Sequence, residues 1–198
     1  MISNILHTLV ANPGIYDTVQ RLVGMNFSIK QMKPIFEQMS GCVVLDIGAG
    51  TGLYLSAFPA NSQYIWLDND SQKLEGFQKR SNGLPAILGD ATQIGLADKA
   101  VDFATCIAIV HHLDDAQFHR FVDEAARVVR TKLILLDPLA TEAWQSKLLW
   151  RYDRGSYPRT AEQLKNALSR RFDVEQVDYY AVYHRYAILH ARPKTNKE

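Results

Sequence analysis

What this chain lacks narrows it first. It has no run approaching the roughly twenty apolar residues that a helix needs to span a bilayer. Its opening residues show no basic leader with a small-residue cleavage site, so a cytoplasmic protein is the expectation. An excess of one charge is missing too. Lys and Arg total 22 against 21 Asp and Glu, a net +1, which gives no global field to draw nucleic acid or an acidic membrane. Cysteine is scarce, and Cys42 and Cys106 lack metal-ligand spacing. Both fall in expected buried strands, where a free thiol packs as a small apolar group. There is no internal repeat, and the only low-complexity stretch is the short polar tail 194–198.

What is present suits one globular domain over residues 1–198. The hydrophobic share is 47% and the charged share 22%. The chain is organised around Val43 to Gly52, an unbroken apolar run that ends in Asp46 and three alternating glycines. Continuous β-branched and apolar residues suit a strand buried on both faces. Gly48, Gly50 and Gly52 remove side chains where the backbone must turn sharply and meet a ligand. Thr51 to Phe58 can then start a helix, whose free N–H groups would face that ligand.

The spacing separates two kinds of ligand loop. A dinucleotide fingerprint needs a glycine three residues after Gly50, and that position is Leu53. The pattern is instead G-x-G-x-G, with Asp46 at the strand end. It resembles the first motif of the class I, Rossmann-like S-adenosylmethionine-dependent methyltransferases of the type 11 kind. The resemblance implies S-adenosyl-L-methionine as cofactor and S-adenosyl-L-homocysteine as product. It also implies a three-layer α/β/α sandwich, on a seven-stranded mostly parallel sheet ordered 3-2-1-4-5-7-6 with the last strand antiparallel. Asp46, Gly48, Ala49, Gly50 and Gly52 are then cofactor residues.

Before that motif, Ile2, Ile5, Leu6, Leu9 and Val10 recur at helical spacing, and Ile15, Val19, Leu22 and Val23 suggest a second short helix. In the resembled family such segments form a lid, here residues 1–40, which makes Tyr16 and Arg21 candidates for the methionine end of the cofactor. Tyr16 suits packing with its hydroxyl satisfied better than it suits that contact. A helix from Lys30 to Met39 tolerates Pro34 only near its first turn.

After the glycine motif, Gln63 to Asp68 reads as a second strand. A carboxylate at its end can accept both hydroxyls of a ribose, so Asp68, with Asn69 beside it, is assigned there. Capping of the next helix falls to Asp70 or Ser71. Leu84 to Leu88 reads as a third strand. The resemblance assigns the following Asp90 and Ala91 to adenine, while a plain Asx turn closed by Asp90 remains an alternative. Asp102 serves structure at the start of a fourth strand, Phe103 to Val110, in which Ile107 is a further cofactor contact by resemblance.

His111 and His112 leave that strand where open α/β sheets hold their ligands. His111 is the first candidate general base and His112 the second, because imidazole titrates near neutral pH. Either could instead pack or bond to the neighbouring loop. Asp114 and Gln117 have capping-box spacing before an amphipathic helix. A fifth strand, Lys132 to Asp137, brings Asp137 to the same edge, where it could orient an acceptor or satisfy backbone donors.

Residues 141–159 are the least family-like stretch, and they interleave Trp144, Trp150, Tyr152 and Tyr157 with Arg151, Arg154 and Arg159. As a cap they would suit a flat or anionic acceptor. Alternatively Trp144, Leu148 and Trp150 pack on the sheet and the arginines face water. Thr160 and Gln163 repeat a capping box, and Phe172 to Val182 with Arg185 to Arg192 form a closing antiparallel pair around His184.

No Asn/Asp-Pro-Pro-aromatic motif follows the fourth strand, and Cys106 lies within it without a preceding proline. Resemblance to base-modifying enzymes of nucleic acids therefore fails. The expected activity is methyl transfer to an O, N or C atom of a small molecule, by a monomer or homodimer with neither a metal nor a membrane. A cofactor-binding module without chemistry, an RNA or protein methyltransferase, and a nicotinamide-dependent oxidoreductase are the other readings.

Overall fold

The computed structural model describes residues 24–141, 150, 157–182 and 184–195. Tyr16, Arg21, the two helices expected before residue 24, Trp144, Leu148, Arg151, Tyr152 and Arg154 lie outside the described residues.

Helix α1 (Met25–Glu37) buries Ser28, Met32, Ile35 and Phe36, which share one face at helical spacing. It starts earlier than the sequence suggests, and this places Pro34 inside the helix rather than near its first turn. The proline forfeits one helical hydrogen bond. Met32 and Phe36, both fully buried, hold the helix to the sheet regardless.

The sheet comprises β1 (Val43–Ile47), β2 (Gln63–Asp68), β3 (Ala86–Leu88), β4 (Val101–Ile107), β5 (Val129–Pro138), β6 (Phe172–Ala181) and β7 (Arg185–Pro193). Their order is 3-2-1-4-5-7-6. β1 to β5 are mutually parallel, and β7 runs antiparallel to both β5 and β6. Helices α2 (Ser71–Ser81), α3 (Asp115–Val128) and α4 (Ala161–Leu168) complete the described elements used below.

Two apolar cores follow from the alternation of side chains along the strands. One packs Leu45, Leu133 and Leu135 against Phe118, Phe121 and Leu164 of α3 and α4. The other packs Val44, Trp66 and Ile134 against Met32 and Phe36 of α1 and Phe77 of α2. The sheet is thus the middle of three layers. Asp70 caps α2, and both predicted capping boxes form, Asp114 with Gln117 and Thr160 with Gln163.

Four sequence expectations need correction. Thr51 to Phe58 is not an α-helix but a series of turns and a short 3-10 segment, Leu55–Ala57. Three positive-φ glycines use up the chain just before it. Pro59 then holds Phe58 in the extended region and stops any helix there. The third strand begins at Ala86 rather than Leu84, beyond a turn at Gly83 with φ +83. The fourth strand runs Val101–Ile107, because Ala108 adopts φ +55 and turns the chain into a 3-10 segment, Val110–His112. Cys42 precedes β1 and is only partly buried.

Candidate functional site

The carboxyl ends of β1, β2, β3, β4 and β5 share one edge of the sheet, and the assigned residues line it. Gly48, Gly50 and Gly52 all have positive φ, between 56 and 76°. This is a backbone that L side chains resist. A Cβ on Gly48 would run into the Ile109 side chain, and one on Gly52 would lie 2.7 Å from Phe77 Cδ2. These glycines are therefore needed for the turn's own closure as well as for any ligand.

The turn bonds inward. Gly48 and Ala49 both donate to the Leu67 carbonyl, at 2.7 and 3.1 Å, and Gly52 donates to the Ala49 carbonyl at 2.9 Å. Gly50 donates to Asp68 Oδ2 at 2.9 Å, while the Trp66 indole donates to the Gly50 carbonyl at 2.8 Å. Arg80 donates to the Thr51 carbonyl and hydroxyl at 3.0 and 3.2 Å. The expectation that helix N–H groups face a ligand here thus fails twice. No α-helix starts at the turn, and these four amides already have protein acceptors.

Asp46 stands near the carboxyl end of β1. It is buried between the Thr105 hydroxyl at 2.7 Å and the Tyr64 hydroxyl at 2.7 Å, which donate to its two oxygens. Burial pushes its pKa up to about 6, against the opposing pull of those hydrogen bonds. Its observed role is to tie β1 to β2 and β4 beneath the turn.

Asp68 is placed differently, half-buried at the open end of β2. Oδ1 accepts the Asp70 N–H at 3.0 Å and Oδ2 the Gly50 N–H. Each carboxylate oxygen has a second lone pair, so two further donors can be accepted. A ribose diol offers that pair. Desolvation raises its pKa. Asn69 is exposed next to it, and Ile107 is half-buried at the end of β4.

At the end of β3, Asp90 Oδ1 accepts the Thr92 N–H at 2.7 Å. This is the Asx turn that the sequence left as an alternative, and it involves one carboxylate oxygen only. Asp90 is exposed and Ala91 half-buried. Asp102 is structural as expected, accepting the Val43 N–H and the Arg130 guanidinium.

At the ends of β4 and β5 the structure brings two sequence candidates together. His111 Nδ1 lies 3.0 Å from Asp137 Oδ1, and both side chains are almost wholly buried. The other oxygen, Asp137 Oδ2, is buried with no hydrogen-bond partner among the described residues. His112 is exposed, with its ring centroid 4.2 Å from that of His111. Trp150 sits 5.4 Å from the His111 ring and 5.1 Å from that of His184, and His184 contacts Tyr186 edge-on. Cys106 is fully buried and burial pushes its thiol up, which suits packing and not nucleophilic chemistry.

Sequence reasoning missed the residue that holds this corner. Arg159 is buried, and its guanidinium donates to the carbonyls of Val110 at 2.7 Å and Leu113 at 2.8 Å. It neither faces water nor waits for an anionic acceptor. Its position just before the α4 capping box was the only local sign that it would be held against the domain. Asp46's partners, Tyr64 and Thr105, were also missed, because they lie on other strands.

The comparisons with known proteins bear on the domain and its fold. Residues 45–136 match the family model described as "Methyltransferase domain". No curated protein matches. Among solved structures, a SAM-dependent methyltransferase from Aquifex aeolicus is 20% identical over 92% of this chain and 98% of its own, with a TM-score of 0.70. Magnesium protoporphyrin IX methyltransferase from Synechocystis, solved with bound SAH, is 16% identical over 89% and 87%, with a TM-score of 0.70. A chain of the complex containing the Haloferax volcanii Trm112 methyltransferase activator is 14% identical over 92% and 95%, with a TM-score of 0.77. At such identities the structural likeness is one of fold. The family match covers the strands that carry the glycine turn, Asp68, His111 and the approach to Asp137, so over residues 45–136 this chain is similar to the methyltransferase domain family.

Proposed function

We propose that this protein transfers a methyl group from S-adenosylmethionine to an O, N or C atom of a small-molecule acceptor. The observation that carries the reading is the buried His111 and Asp137 pair at the ligand edge of the sheet, one strand away from the glycine turn. Asp68 suits the ribose of the donor, and the exposed turn at Asp90 and Ala91 suits its adenine. When bound, S-adenosylmethionine supplies a methyl group on a sulfonium, an electrophile whose leaving group is a neutral thioether.

The chain then has to position and deprotonate. A carboxylate only accepts, so with Asp137 on Nδ1 that nitrogen carries the proton and Nε2 is the basic nitrogen. His111 in that tautomer takes the proton of an acceptor hydroxyl or amine as the methyl is transferred. Asp137 stabilises the imidazolium that results. Burial of the pair keeps bulk water from competing.

A small acceptor is favoured by the rings of Trp150, His184 and Tyr186 beside the pair and by the near-neutral charge of the chain. The test is a screen of metabolite extract, RNA and protein for transfer of label from methyl-labelled S-adenosylmethionine. Label in a small metabolite supports the proposal, label in RNA or protein moves the acceptor class, and no transfer from any source overturns the enzymatic reading. Calorimetry with S-adenosylhomocysteine against NADH tests the donor separately.

A further inference from the structure

Asp137 is held in the β5 ladder, but the turn that brings His111 to it is weakly held by its own backbone. After Ala108 leaves the strand with φ +55, the histidines sit in a single 3-10 turn, closed by the His112 N–H on the Ile109 carbonyl and the Leu113 N–H on the Val110 carbonyl. Such turns have poor hydrogen-bond geometry and rarely persist unaided. One side chain grips this turn from both ends.

Arg159 Nη1 donates to the Val110 carbonyl at 2.7 Å and Nη2 to the Leu113 carbonyl at 2.8 Å, on either side of His111 and His112. The Tyr157 N–H donates to the His111 carbonyl at 3.0 Å, so the same segment also holds the turn at its centre. The backbone of Arg159 binds the chain that leaves β5. Its carbonyl accepts the Ala140 N–H at 2.9 Å, and it pairs with Leu139 in a parallel bridge two residues beyond Asp137. The guanidinium also stacks over the Phe118 ring at 4.7 Å and meets Asp115 Oδ1 at 2.7 Å. Asp115 is largely exposed, so that ion pair is screened and of minor weight.

We propose that Arg159 is the positioning residue of the His111 and Asp137 pair, its guanidinium bracketing the histidine turn while its backbone holds that segment to the chain just beyond β5, the strand that carries the acid. The geometry needs a fork. A planar guanidinium can serve two carbonyls several residues apart, whereas a lysine ammonium in its place reaches one. The buried cation is compensated by carbonyl dipoles and an aromatic face, which makes it a designed part of this corner rather than a stray surface charge.

This inference rests on the proposed base role of His111 only for its effect on turnover, so the test includes a readout that does not. In protein labelled with 15N-histidine, Arg159→Lys is expected to shift and broaden the His111 ring signals, with the Nδ1 proton exchanging faster. Affinity for S-adenosylhomocysteine should stay within about twofold. With an acceptor in hand, kcat should fall about tenfold with KM little changed, and the same substitution in a His111→Ala background should cost nothing further. Asp115→Asn should leave both readouts as in the parent.

Unchanged His111 ring signals in a folded Arg159→Lys protein overturn the proposal. If Arg159→Lys and Arg159→Gln both fail to fold, Arg159 is a stability element and the proposal is likewise overturned. Should His111→Ala keep full turnover, the base role falls, and the ring signals alone still decide whether Arg159 positions the histidine.

Discussion

The Asp68 carboxylate accepts the Gly50 N–H at 2.9 Å, so the acid at the end of β2 braces the glycine turn at the end of β1. Any ligand diol that Asp68 receives is thereby coupled to the turn. Asp68→Ala should weaken S-adenosylhomocysteine binding by roughly ten- to a hundredfold, the range expected when hydrogen bonds to a charged group are lost. Asp68→Asn keeps one acceptor oxygen and should lose less. Calorimetry checks both, and equal affinity in all three proteins would remove Asp68 from the cofactor site.

His111→Ala should lower turnover well over tenfold while S-adenosylhomocysteine affinity changes little, because the imidazole acts on the acceptor and not on the donor. Asp137→Asn should fall in the same direction, since an amide presents an N–H as readily as an oxygen to Nδ1 and so permits the wrong tautomer. Steady-state rates with the acceptor found by screening measure both. Wild-type turnover in His111→Ala would end the base assignment.

The β2 limits and both capping boxes were legible because they follow from local pattern and short-range chemistry, whereas the strand order came only through the family resemblance. Gln63 to Asp68 is a short apolar run that ends in turn-formers, and Asp114 and Thr160 each find their partner three residues on. What escaped depends on contacts between distant residues or on single backbone angles. The loss of a helix at Thr51 to Phe58 reflects the accumulated positive φ of three glycines and a proline one residue later. The end of β4 turns on Ala108, a residue with no propensity for φ +55. Arg159 stands 46 residues from Leu113 in sequence, so its grip on the histidine turn has no periodic signature.

Gly48 should tolerate no side chain, for two separable reasons. Its φ of 70° strains any L residue, and a Cβ there overlaps the Ile109 side chain. Gly48→Ala is expected to cost on the order of 2 kcal/mol or more in stability, combining a left-handed backbone with overpacking. Adding Ile109→Ala should recover the overlap and leave the backbone part. Urea unfolding of the single and double variants measures the split, and no recovery in the double variant would show that Ile109 is not the obstacle.

Asp46 should give the fold a pH dependence, in the same direction as that of Asp68, whose pKa desolvation also raises. Burial raises its folded pKa to about 6, above the roughly 3.9 of an unfolded aspartate, so the folded chain holds the proton more tightly. Its contribution to stability is therefore full below about pH 4, falls as pH rises through 6, and levels off beyond it. The shift corresponds to about 3 kcal/mol across that window. Asp46→Asn mimics the protonated acid, since an amide can still accept from one of the Thr105 and Tyr64 hydroxyls and donate to the other. Relative to wild type, the variant should gain stability steadily between pH 4 and 6.5 and hold a constant advantage above pH 7. Denaturant midpoints across that range check the sign directly. Parallel curves would mean that Asp46 ionises in the folded protein as easily as in the unfolded chain, and that Thr105 and Tyr64 together offset the whole cost of burying its charge.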